Sequence, residues 1–277
     1  MSGRPEVDVL GQGPDALLLP ALSSVATRRE MRPLAERLMV RLRCLMADWP
    51  GFGMPSGGRP LSPILMTDFL SEAPQRLALT TPILGIAAGH GATMMVLDAL
   101  CHPERYRGLV LVAPTWRGPL PTMTGGDRPS FCRAVRRALE APVLGPALFA
   151  ANLSRPVVGW MLREHVYADP RAVTPALVAE KHAVARRAGA RRATAAFVSG
   201  GLDPVASREA FLALFDERLP PVLLVRPRGA PRRSAAEMDA LAASGRVRVA
   251  VVSGALGAHE ESPGEVADAV AAFLDSL

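Results

Sequence analysis

Residues 82–100 constrain this chain more than any other segment. Pro82-Ile83-Leu84-Gly85-Ile86 is an apolar run of strand length, and Thr93 to Leu100 reads as a helix. Between them lies the glycine-rich turn Ala87-Ala88-Gly89-His90-Gly91-Ala92. The pattern is a tight, glycine-rich turn leading from a strand directly into a helix. Strand–turn–helix is also the repeating unit of a parallel sheet covered by helices.

The rest of the chain agrees with that unit. Short apolar runs (Ala16–Leu19, Arg43–Ala47, Ile83–Ile86, Gly108–Ala113, Pro221–Val225, Val247–Val252) alternate with helical patterns at Glu30–Leu42 and Glu265–Leu277. The expected fold class is α/β, a mainly parallel central sheet with helices on both faces. From Pro114 to about Pro220 the pattern changes to short helical pieces broken by Pro and Gly: Phe131–Leu139, Val157–Glu164, Pro175–Arg187 and Ser207–Phe215. The expected organisation is a core of residues 1–115 and 220–277 with an inserted helical lid, 116–219, over the carboxyl ends of the strands.

A chain of 277 residues with 49% hydrophobic and 21% charged residues can bury its core without covalent help. Cys44, Cys101 and Cys132 have no metal or redox spacing, and an odd count argues against a disulfide framework. Met1-Ser2-Gly3-Arg4-Pro5 has no signal-type apolar stretch and no run is long enough for a membrane span, so a cytoplasmic protein is expected. The net charge of +6 is almost all arginine, with Lys181 the only lysine and pairs such as Arg28-Arg29, Arg136-Arg137 and Arg232-Arg233. This reads as an anion-facing surface or as ordinary arginine usage on a solvated one. With 5% aromatics and no nucleic-acid motif, no nucleic-acid partner is expected. The five histidines are scattered and the glycine pairs fit no phosphate-binding loop, so neither metal nor cofactor is expected.

Several stretches together resemble the α/β-hydrolase superfamily over nearly the whole chain: Asp48-Trp49-Pro50-Gly51-Phe52-Gly53, the turn at Gly89–Gly91, His102-Pro103-Glu104-Arg105-Tyr106-Arg107-Gly108-Leu109-Val110-Leu111-Val112, and His259-Glu260-Glu261-Ser262-Pro263-Gly264-Glu265-Val266. The resemblance implies that the glycine-rich turn is the elbow that presents a nucleophile as G-x-S-x-G. Two registers fit, with Ala87 or Gly89 at the nucleophile position, and counting back from the 102–112 stretch favours Gly89. By the same resemblance Ala230 stands near the acid position, Leu256 at the histidine position and Pro20-Ala21 at the oxyanion turn. The expectation is a member with a degenerate triad.

Other residues then become candidates. The His90 backbone N–H would face an oxyanion, and its ring is either a general base or ligand contact or a packed histidine with one hydrogen bond. Ser23 and Ser24 lie in the loop near the elbow, while Thr27 with Glu30 fits a T-x-x-E capping box. His259 lies near the histidine position, and Asp203 in Gly200-Gly201-Leu202-Asp203-Pro204 is a turn residue or an acid. Trp116 and Arg117 are expected to face the pocket, where Arg117 would meet a carboxylate, a phosphate or the lid. Met123, Phe131, Phe149, Trp160 and Met161 give the lid apolar side chains.

The leading functional expectation is non-hydrolytic binding of a small apolar molecule or a protein partner between core and lid, with a homodimer possible. One alternative is an atypical hydrolase, acyltransferase or lyase using His90 with the elbow helix N-terminus and Ser23 or Ser24. Another is a structural subunit or scaffold with an arginine-rich contact surface.

Overall fold

The computed structural model describes residues 7–126 and 128–277; the Met1–Pro5 stretch read for a targeting signal lies outside them. The core begins with β1 (Val7–Leu10), β2 (Asp15–Leu19), α1 (Arg32–Leu38) and β3 (Arg43–Ala47). A small pair, β4 (Trp49–Pro50) and β5 (Gly53–Met54), precedes α2 (Pro63–Arg76), β6 (Ile83–Ala88), α3 (Gly89–Cys101) and β7 (Tyr106–Val112). Helices follow: α4 (Pro119–Met123), α5 (Pro129–Glu140), α6 (Leu144–Asn152), α7 (Arg155–Met161), α8 (Pro175–Ala185), α9 (Ala190–Val198) and α10 (Arg208–Ala213). The chain returns to the sheet through β8 (Val222–Pro227), α11 (Arg232–Ala243), β9 (Arg248–Val252), α12 (Ala258–Glu261) and α13 (Pro263–Leu274).

Seven strands form one sheet in the order β1-β3-β2-β6-β7-β8-β9. Only β1 runs antiparallel to its neighbour; the other pairs are parallel. Parallel strands covered on both faces read as continuous apolar runs, and all six residues of β6 are buried. Successive side chains go to opposite faces. Leu17, Leu19, Ala87, Leu109 and Leu111 join the core that includes residues of α2 and α3, whereas Ala16, Leu18, Ile86, Val110 and Val112 join the one with α1 and α13.

The strand order reverses between β2 and β6. In open α/β sheets the loops at such a switch part at the carboxyl ends of the strands and leave a crevice. Here the loop after β2 and the turn after β6 flank it.

Two expectations at the start of α1 fail for clear reasons. The helix expected over Glu30–Leu42 begins as a short 3-10 turn at Arg28–Met31 and becomes α1 only at Arg32. Pro33 is tolerated in the first turn of a helix but not inside one. The expected Thr27–Glu30 capping box does not form, because the Thr27 side chain makes no cap hydrogen bond and the Glu30 carboxylate is engaged elsewhere. Between β7 and β8 the described residues hold helices and no strand. Among the described residues no helix is long and apolar enough to cross a membrane.

Candidate active site

The elbow is built as a sharp turn. Ala88 is extended (φ −105°, ψ 152°), Gly89 turns to φ +52°, and α3 starts at once. Ala87 lies inside β6, fully buried, so Gly89 is the residue presented at the turn. Gly91 has a different reason to be glycine. A Cβ there would lie 2.9 Å from both the Pro20 carbonyl oxygen and the Trp49 ring, so α3 packs against the β2 loop only without a side chain.

The turn after β7 comes up under the elbow. Ala113 adopts φ +46°, a left-handed conformation that costs a non-glycine residue roughly 1 kcal/mol or more. This strained turn lets the Thr115 N–H donate to the Gly89 carbonyl at 3.1 Å, while the Thr93 hydroxyl donates to the Thr115 carbonyl at 2.9 Å. As a result the Thr115 hydroxyl oxygen lies 3.9 Å from where a Cβ on Gly89 would stand. It is the nearest side-chain oxygen to the nucleophile position.

Thr115 also lines a cavity of about 310 Å³, with Trp116, Arg117, Thr122, Arg208, Arg233 and Glu237. Trp116 is buried, and its indole N–H donates to Glu237 Oε2 at 3.2 Å. A larger, more open depression of about 560 Å³ near Asp169, Arg171, Ser253 and Glu261 includes no elbow residue.

His90 follows Gly89 and its ring is fully buried. Nε2 lies 3.0 Å from the Leu202 carbonyl and 3.4 Å from Asp203 Oδ1, and the ring packs edge-on against Phe197. Burial pushes its pKa down to about 4, against the pull of the Leu202 carbonyl, so the imidazole is neutral at pH 7. The carbonyl assigns the proton to Nε2, which leaves Nδ1 a buried acceptor with no partner. Asp203 accepts the Gly118 N–H at 2.7 Å. Burial raises its pKa to about 6, although the Gly118 N–H and Arg117 favour the carboxylate. Sequence reasoning treated Asp203 as a turn residue first; nothing local signals its partners, which are 85 residues back at Gly118 and 113 back at His90.

A second polar cluster is built on the β2 loop, whose Ala21 packs beside Gly89; of its members the sequence singled out only His259 as a site residue. Glu30 Oε1 accepts the Ala21 N–H at 3.0 Å and lies 3.2 Å from His259 Nε2. Glu30 Oε2 is 3.5 Å from Lys181 Nζ, which donates to Glu260 Oε2 at 2.8 Å. The Tyr167 hydroxyl donates to the same Glu260 oxygen at 2.7 Å. Burial opposes the charge on Glu30, but Lys181, His259 and the Ala21 N–H outweigh it and lower its pKa. Burial likewise opposes the Lys181 ammonium, and the two glutamates outweigh it and raise its pKa. The only lysine in the chain thus joins α8 to the core by a buried double ion pair. Of the two N–H groups that the resemblance marked for an oxyanion, that of Ala21 is already taken by Glu30, and that of His90 remains at the start of α3.

The remaining candidates fall as follows. Ser23 and Ser24 are half-buried in the β2 loop, with Ser23 Oγ accepting the Val25 N–H at 3.5 Å; no hydrogen bond or ion pair joins them to His90. Ala230 and Leu256 are half-buried against the apolar cluster that includes Trp116. Among the described residues no group of three or more His, Cys, Asp or Glu could hold a metal ion.

No protein-family model matches this chain, and no curated protein matches it in sequence. Solved structures do match over nearly its full length. A thermophilic esterase from Thermogutta terrifontis, with malate bound, aligns at 20% identity and a TM-score of 0.69, covering 98% of this chain and 93% of that one. The serine hydrolase CarC, involved in carbazole degradation, aligns at 15% identity and 0.71, covering 98% and 94%. The meta-cleavage product hydrolase CumD aligns at 15% identity and 0.72, covering 100% and 98%. The chain has the α/β-hydrolase fold.

These likenesses overturn the leading expectation of a non-hydrolytic binding protein, because the matching structures are those of hydrolases. That expectation weighed side-chain identities at Gly89, Ala230 and Leu256. It did not take in the Thr115 hydroxyl beside the elbow, or the Asp203 carboxylate of raised pKa beside the His90 ring.

Proposed function

We propose that the chain is an ester hydrolase in which a water molecule attacks the substrate carbonyl at the elbow. The observation that carries this reading is the His90–Asp203 pair, 3.4 Å apart, with His90 the residue that follows Gly89 in an elbow turn that is intact. The hydrolases that share the fold support it.

The roles follow from placement. Asp203 is the general base, with a pKa near 6 that leaves it mostly ionised at pH 7 yet a better proton acceptor than an ordinary carboxylate. It takes a proton from water, the hydroxide adds to the carbonyl carbon, and the resulting oxyanion faces the His90 N–H at the positive end of α3. Collapse expels the alcoholate, which takes the proton back from Asp203. The Thr115 hydroxyl holds the water or the carbonyl in line. His90 is a positioning residue, since its neutral ring fixes the Leu202–Asp203 turn without adding charge. The helical segment 116–219 acts as the lid over a core of 1–115 and 220–277. The three cysteines are free, which suits a reducing cytoplasm.

Hydrolysis of p-nitrophenyl acetate and butyrate by the wild type and T115V tests the reading. The expected result is turnover above buffer in the wild type and about tenfold lower kcat in T115V, with a well-formed fold in both. Wild-type rates equal to buffer, or an unchanged T115V, would overturn it.

A further inference from the structure

The cavity beside Trp116 carries a charge pattern that ester cleavage alone does not need. Its wall holds three arginines, Arg117, Arg208 and Arg233, and one glutamate, Glu237. Glu237 is already neutralised, because Arg208 grips it through two hydrogen bonds of 2.9 and 2.8 Å and Trp116 donates a third. Arg117 and Arg233 are different. Among the described residues neither has a carboxylate within ion-pairing distance, although Arg117 acts at longer range on Asp203 and Glu237. The Arg117 guanidinium lies 4.3 Å from the centre of the Trp116 ring, which orients it without neutralising it. Arg233 donates only to the neutral Thr122 carbonyl.

These two guanidiniums come from different elements, one from the strained turn after β7 and one from the first turn of α11. That helix is 12 residues long and begins with no side-chain cap, so its own first-turn N–H groups add to the positive field. A cavity of about 310 Å³ with two unpaired planar forks suits a short ligand with a planar anionic end. Thr115, which lines the same cavity, also faces the elbow, so an anion held by Arg117 and Arg233 would be the tail of whatever lies at the elbow.

We propose that Arg117 and Arg233 form a carboxylate-binding subsite, and that the substrates are small acidic esters such as half-esters of dicarboxylic acids. The choice of ester rests on the hydrolase reading above; the anion site itself does not. The guanidiniums would hold the free carboxylate while the ester carbonyl reaches the elbow, which trades binding energy on the non-reacting end for orientation of the reacting one.

Calorimetric titration of succinate, beside its uncharged dimethyl ester, into the wild type, the R117Q/R233Q double variant and the control R218Q separates these ideas. Arg218 is exposed, pairs with Asp216 and does not line the cavity. Succinate should bind the wild type and R218Q, lose at least tenfold in the double variant, and weaken with added salt, whereas the diester should not bind. In parallel, the ratio of kcat/KM for p-nitrophenyl hemisuccinate over p-nitrophenyl butyrate should fall about tenfold in the double variant. Melting curves confirm that each variant is folded. Succinate binding that is absent, or equal in wild type and double variant, overturns the subsite. Succinate binding lost in the double variant, with no ester turned over by any form, sustains the subsite and removes the hydrolase reading. Ester turnover with no succinate binding does the reverse.

Discussion

The two polar clusters flanking the elbow are opposites in their physics. On one side Lys181 lies between Glu30 and Glu260, and Lys181 and Glu30 have side chains only 7% exposed. Mutual attraction outweighs burial for Lys181 and Glu30, so these two are held in the charged form. In the other cluster Asp203 has only the neutral His90 ring at ion-pairing distance, Arg117 acts from farther off, and burial wins, lifting its pKa to about 6. The difference teaches which cluster holds the fold together and which is poised to move protons. A buried ion pair fixes a geometry; a buried carboxyl that titrates near neutrality is the kind of group found at reacting centres.

Removing Lys181 should break this contrast most forcefully. K181M leaves the buried Glu30 and the half-buried Glu260 without their shared cation and should cost about 3–5 kcal/mol in chemical denaturation. A loss below 1 kcal/mol would mean that the ion pairs do not hold α8 to the core. Lys181 should also resist amine-reactive reagents in the folded protein.

Asp203 should behave with the opposite sign. Its folded pKa lies above the unfolded value, so the native state binds the extra proton and stability falls as pH rises from about 4 to about 6. D203N abolishes that loss and still offers an oxygen to the Gly118 N–H. The variant should be more stable than the wild type at pH 7 by up to about 3 kcal/mol, with the gap closing below pH 4. Glu30 has a lowered pKa, so its contribution is present above its unfolded value and is lost as pH falls through the folded one. Denaturation curves at pH 4, 5.5 and 7 therefore separate the clusters, and parallel pH trends in D203N and the wild type would erase the distinction.

Y167F is the gentlest probe. It removes one hydrogen bond to Glu260 and should cost about 1–2 kcal/mol at pH 7. No change would show that Glu260 is satisfied by Lys181 alone.

The scaffold was legible in the sequence because parallel strands buried on both faces are continuous apolar runs, and because a strand–glycine–helix turn leaves a local trace at 82–100. His90, Asp203 and His259 could be singled out, but the clusters they join were not legible, because the contacts between their side chains are not local. Glu30 meets Lys181 across 151 residues, and Lys181 meets Glu260 across 79. Glu30 even carried a plausible local role, as the end of a capping box, that burial beside Ala21 overrode. Thr115 had no motif at all; its importance arises from the left-handed Ala113 that turns it under the elbow. Trp116 and Arg117 line a cavity, and they follow a core strand at its carboxyl end, where such sheets open.

The most direct test of the account is the pH–rate profile of p-nitrophenyl butyrate hydrolysis by the wild type and D203N between pH 4 and 8. In the wild type kcat/KM should rise through an inflection near 6, and folded D203N should be at least 100-fold slower without that inflection. A D203N variant that hydrolyses the ester as fast as the wild type, with the same profile, would contradict it.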